Sequence, residues 1–122
     1  MPVRLRPADP TAVSAALARR AAGSSTREDE RLLVKHFLAL LAERAPGGAV
    51  EVRVPPYAAA QVVGGTTHKR GTPPAVVELD ATTWLDLAVG GLRWHDAVAA
   101  GRVAASGERS DLSAHLPLQP VT

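Results

Sequence analysis

The chain contains no cysteine. That excludes disulfides, thiol redox chemistry and thiolate metal sites, and it fits a reducing compartment. Aromatic residues are almost as rare: Phe37, Tyr57, Trp84 and Trp94 are the whole complement, 3% of 122 residues. Because 46% of the residues are nonetheless apolar, the interior has to be built from alanine, valine and leucine. Charge of one sign is lacking too, with a net +2. The local basic clusters, Arg4/Arg6, Arg19-Arg20 and His68-Lys69-Arg70, have no aromatic residues between them to stack bases, so nucleic acid is not an expected partner. No stretch approaches the roughly 18 consecutive apolar residues of a transmembrane helix. The opening Met-Pro-Val-Arg-Leu-Arg-Pro-Ala-Asp-Pro lacks the apolar centre of a secretory leader, so a cytoplasmic protein is expected. The length suits one domain over residues 1–122.

What is present is strong local patterning. Val3 and Leu5 alternate with Arg4 and Arg6, as in a short edge strand. Asp9-Pro10 pairs a helix cap with the residue best suited to the first helical position, and Gly23 marks the end of that helix. Ser25/Glu28 and Thr26/Asp29 are overlapping capping boxes. After them Leu33, His36, Phe37, Leu40 and Leu41 fall on one helical face, until Ala45-Pro46-Gly47-Gly48 stops the helix. Ala49–Val54 alternates valine with Glu51 and Arg53, the pattern of a strand with one wet face. Pro55-Pro56 enforces a bend. Further strands are expected over Tyr57–Val63, Ala75–Leu79 and Arg102–Ser106, with a polar loop over Gly64–Pro74. Asp80 caps a helix carrying Ala81, Trp84, Leu85 and Ala88, and Gly90-Gly91 ends it. A short helix with Trp94, Ala97 and Val98 ends at Gly101, and a last helix carries Leu112, His115 and Leu116 before Pro117.

Candidate chemistry is thin. Gly64-Gly-Thr-Thr-His-Lys-Arg-Gly-Thr72 is not a phosphate loop: five residues separate Gly65 from Gly71, Thr72 rather than lysine follows, and the segment runs toward a strand rather than into a helix. The histidines at 36, 68, 95 and 115 have no metal-ligand spacing, so no metal is expected. Asp111, Ser113 and His115 supply the residue types of a nucleophilic site, but not the strained turn and oxyanion donors it needs, so a capping role is the simpler reading. Trp84 and Trp94 suit either a packed core or the wall of a ligand cavity.

From Ala75 to Leu116 the chain resembles the sterol carrier protein type 2 family. The corresponding parts are Val76-Val-Glu-Leu-Asp80, Thr83-Trp-Leu-Asp-Leu-Ala-Val-Gly90, Ala97-Val-Ala-Ala-Gly-Arg-Val-Ala-Ala-Ser-Gly107, and Leu112 to Leu116. Val50-Glu-Val-Arg-Val-Pro-Pro-Tyr57 with His68-Lys-Arg-Gly-Thr-Pro-Pro74 is similar to short actinobacterial members. Pro55-Pro56 stands where animal members carry a Gly-rich hairpin, and the chain ends Gln-Pro-Val-Thr rather than in a peroxisomal tripeptide.

The resemblance implies an α+β fold: a five-stranded mixed sheet with helices packed on one face and an apolar tunnel between the layers. It implies a non-enzymatic lipid-binding or transfer protein with no cofactor and no catalytic residue. The partner would be an apolar small molecule: a fatty acid, a sterol-like lipid or acyl-coenzyme A. The expected ligand-lining residues are Trp84, Leu85, Ala88, Trp94, Val98, Val103, Leu112 and Leu116, with Phe37, Leu40 and Leu41 closing the far side. Tyr57, Gln61, His68 and Arg70 are the candidates for a polar mouth. Two alternatives stay open: an interaction or homodimerisation module with a filled core, and an accessory domain of an acyl- or aromatic-acid enzyme using His68.

Overall fold

The computed structural model describes residues 5–64, 74–106 and 110–119. Its elements run α1 (Pro10–Ala21), α2 (Arg27–Arg44), β1 (Val50–Val54), β2 (Ala58–Val62), β3 (Ala75–Leu79), α3 (Ala81–Ala88), α4 (Trp94–Ala99), β4 (Val103–Ser106) and a 3₁₀ turn at Ser113–His115. The strands form one mixed sheet in the order β2-β1-β3-β4. β1 is antiparallel to β2 and parallel to β3, and β3 is antiparallel to β4.

The local signals act where the sequence places them. Asp9 Oδ2 accepts from the Ala12 N–H at 3.1 Å and starts α1. Of the two overlapping boxes, Thr26/Asp29 is the one used: Thr26 Oγ1 accepts from the Asp29 N–H at 3.0 Å, and Asp29 Oδ2 accepts from the Thr26 N–H at 3.1 Å. Asp29 also takes two bonds of 2.7 Å from the Arg19 guanidinium, joining α1 to α2. These donors hold its carboxyl well below the usual carboxylate range. Between α2 and β1, Gly47 has φ +143°, and a Cβ there would collide with the Val63 carbonyl and with Gly64.

One face of the sheet is covered. Val50, Val52 and Val54 of β1, Val62 of β2, and Val77 and Leu79 of β3 are buried beneath the helices. On the other face Gln61 lies beside Glu51, which lies beside Val76; Ala59, Arg53, Glu78 and Ala104 form the next row. Arg53 pairs with Glu51 there, and no helix covers this surface among the described residues.

Three expectations are corrected. The sheet has four strands among the described residues, not five. The expected edge strand at the N-terminus does not form at Leu5 and Arg6, and Val3 and Arg4 lie outside the described residues. The last helix contracts to the 3₁₀ turn, because Asp111 Oδ1 takes the Ser113 N–H at 2.8 Å and Pro117 follows too soon for a helical turn to propagate.

The segment before α1 is tied down by a buried histidine. His36 Nδ1 accepts the Ala8 N–H at 2.9 Å, and its ring meets Phe37 edge-on. Burial lowers the His36 pKa, partly opposed by Glu43. The folded chain therefore favours the neutral ring, the form with a free acceptor nitrogen.

Two outcomes follow from these contacts. Thr26→Ala is expected to cost about 1 kcal/mol, read as a lowered denaturation midpoint. As pH falls through about 6.5, the unfolded chain takes up a proton at His36 that the folded chain resists, so stability drops. Urea midpoints should fall between about pH 7 and about pH 5, before carboxylates titrate, and the drop should shrink in His36→Gln.

Candidate functional site

The residues expected to line an apolar site come from three places in the fold. Phe37, Leu40 and Leu41 lie on α2, Trp84, Leu85 and Ala88 on α3, and Leu112 and Leu116 in the C-terminal segment. Phe37, Leu41, Trp84, Leu85, Ala88 and Leu112 are fully buried in one contiguous apolar cluster with the sheet valines. Trp94 joins it at 6% exposure. Leu40, Val103 and Leu116 are half-buried at the rim. Val98 departs from expectation: it is 46% exposed and does not reach the interior. In a helix of six residues only one narrow face can turn inward, and Trp94 and Ala97 occupy it.

Polar bonds fix this arrangement. Asp80 Oδ1 accepts the Thr83 N–H at 2.7 Å and starts α3, which lowers the Asp80 pKa. Trp84 Nε1 donates to the Val34 carbonyl at 3.3 Å, so the buried indole is satisfied against α2. Arg20 and Arg102 both reach Asp86, tying α1 and the start of β4 to α3. The C-terminal segment is anchored twice: the Leu118 and Gln119 N–H groups both donate to the Ala88 carbonyl, and Arg44 donates to the carbonyls of His115 and Pro117. These bonds seat Leu112 and Leu118 in the core.

Periodicity along the chain does not reveal Leu118, which lies between two prolines and outside any helix. Val34, Leu38 and Leu87 also belong to the cluster. They were readable only as a broadening of stripes whose width depends on how much sheet each helix covers.

The proposed polar mouth is not assembled as one unit. Tyr57 is half-buried, and its hydroxyl donates to Glu30 Oε1 at 2.6 Å, which raises its pKa. Gln61 is exposed and sits beside Glu51 on the uncovered sheet face. His68 and Arg70 lie outside the described residues. Asp111 caps the Ser113 N–H, so its carboxylate serves a turn. A cleft of about 340 Å³ lies beside Tyr57, lined also by Arg27, Glu28, Arg31 and Pro56. Arg27 and Arg31 were not among the expected site residues; their one signal in the sequence is the i, i+4 spacing on a helix.

Comparison with known proteins matches residues 26–118, about three quarters of the chain, to the family described as "Bacterial SCP ortholog". The chain belongs to this bacterial sterol-carrier-protein-like family. The match begins at the cap of α2 and ends at Leu118, so it takes in all four described strands and all of the apolar cluster except Val13 and Ala16 of α1. No curated protein matches the chain.

The burial differences set a measurable contrast. Trp84→Ala should cost about 3–5 kcal/mol, as a large core side chain is removed and its cavity only partly collapses. Val98→Ser should stay within about 0.5 kcal/mol of the parent. Thermal denaturation of the two variants checks both.

Proposed function

From membership of the bacterial sterol-carrier family, we propose that the chain is a non-catalytic binding protein for an apolar, lipid-like molecule held between the sheet and the helices. The observation that carries this reading is the family match over residues 26–118, which contains all of the apolar cluster except Val13 and Ala16 of α1. The residues proposed to meet the guest are Phe37, Leu40 and Leu41 on one side, and Trp84, Leu85, Ala88, Trp94, Val103, Leu112 and Leu116 on the other. Most are buried against one another, so a guest has to part the layers.

The rim at α4 and β4 is where that costs least. α4 is six residues long with no side-chain cap, and β4 is exposed beyond a half-buried Val103. Few packed side chains would need to move there. Ten buried methylenes would contribute about 8 kcal/mol gross. After ordering and displacement costs the affinity becomes roughly micromolar or weaker, which suits a carrier that must also release.

A second reading draws on the full burial of Phe37, Trp84 and Leu112. In it the core is permanently filled, and the chain acts as an interaction or dimerisation module. A catalytic role would rest on His68, outside the described residues.

Native mass spectrometry of freshly purified protein separates the first two readings, followed by solvent extraction and titration of the stripped protein with fatty acids while tryptophan fluorescence is followed. The carrier reading expects a defined apolar species in the extract, or saturable quenching. A bare protein mass with no response to any chain length selects the filled-core module.

A further inference from the structure

The described arginines divide sharply. Arg19, Arg20, Arg53 and Arg102 each pair with a carboxylate, and Arg44 donates to two backbone carbonyls. The side chains of Arg6, Arg27, Arg31 and Arg93 make no hydrogen bond or ion pair among the described residues, and of these four only Arg27 and Arg31 share a cleft. Both line the same cleft of about 340 Å³, together with Glu28, Pro56 and Tyr57. They stand one turn apart on α2, which places both guanidinium groups on one face of that helix.

None of the neighbouring carboxylates forms an ion pair with either arginine among the described residues. Glu30 Oε1 is occupied by the Tyr57 hydroxyl at 2.6 Å, which also steadies the phenol ring at the cleft wall. Asp29 is committed to Arg19 and to the helix cap. Glu28 lines the cleft but pairs with neither arginine. Two unpaired planar forks facing a cavity match the geometry of a carboxylate or phosphate group. Pro56 and the Tyr57 ring add an apolar wall beside them.

We propose that this cleft is an organic-anion site, in which Arg27 and Arg31 clamp a carboxylate or phosphate group while Pro56 and Tyr57 support the apolar part of the same molecule. Glu28 weakens the site by like-charge repulsion and sets its affinity. The site stands whether or not a guest enters the apolar core. The anion is either the head of an amphiphile whose tail reaches the core or a separate small molecule.

Tyr57 is the chain's only tyrosine, so its ring resonances report the cleft alone. They would be followed in the full chain at constant ionic strength while hexanoate, decanoate, phenyl phosphate and inorganic phosphate are added. Saturable Tyr57 shifts are expected with hexanoate and phenyl phosphate. Affinity should fall about tenfold or more in R27Q/R31Q, fall less in R27K/R31K, which keeps charge but loses the fork, and rise severalfold in E28Q. Both arginines are exposed and unpaired, so these variants should keep the parental melting temperature. Decanoate shifting Tyr57 and Trp84 together supports the site and identifies an amphiphile's head; Tyr57 shifting alone supports it and identifies a separate small anion. The proposal is overturned by shifts indifferent to R27Q/R31Q, by inorganic phosphate binding as well as phenyl phosphate, or by a Trp84 response without Tyr57. That last outcome would leave the apolar-guest reading intact.

Discussion

The burial of one sheet face under α2 and α3 is the constraint on which the other features depend. Val50, Val52, Val54, Val62 and Val77 present a small-residue surface, and the few large side chains available, Phe37 and Trp84 above all, are spent covering it. With only four aromatic residues in the chain, little bulk is left over for the opposite face. That face stays polar, with Glu51, Arg53 and Glu78 along its middle strands. The asymmetry follows from an alternating strand that can satisfy only one apolar layer.

Around this layer the polar contacts act as fasteners between elements. Asp29 joins the start of α2 to α1, His36 holds the segment before α1, Asp86 gathers Arg20 and Arg102, and the Ala88 carbonyl receives the C-terminal segment. Each fastener sits at the border of the core, where a charged or polar group keeps a partner without losing all of its water. The α4–β4 corner has the weakest such support: a short helix without a side-chain cap and a strand of four largely exposed residues. Local opening draws on regions with few buried contacts, so this rim, rather than the centre of the core, is where the fold opens at least cost.

Much of the architecture was legible from local chemistry. The helix starts at Asp9, Thr26 and Asp80 are side-chain caps whose bonds are made within three residues. The alternation over Val50–Val54 also needs no distant information. The last helix departs from the sequence pattern because Leu112, His115 and Leu116 have helical spacing, whereas Asp111 and Pro117 leave room for only one tight turn. Val98 departs for a related reason: its spacing from Trp94 fits an inward stripe, but α4 meets the core only along Trp94 and Ala97. In short helices the width of the buried face is set by what lies opposite.

The candidate sites divide in the same way. By itself the sequence determined the inventory: an interior of valine, leucine and alanine, two tryptophans on amphipathic segments, no thiol, and capped helices in a fixed order. Those properties depend on residue type and on spacing within a turn or a strand, so they survive without a fold. Only the tertiary structure decided which side chains share a space. It brought Leu118 beneath α3, kept Tyr57 apart from Gln61, and set Tyr57 beside Arg27 and Arg31. Such encounters join residues about thirty positions apart, and their geometry depends on how the helices lie across the sheet, which no local pattern encodes.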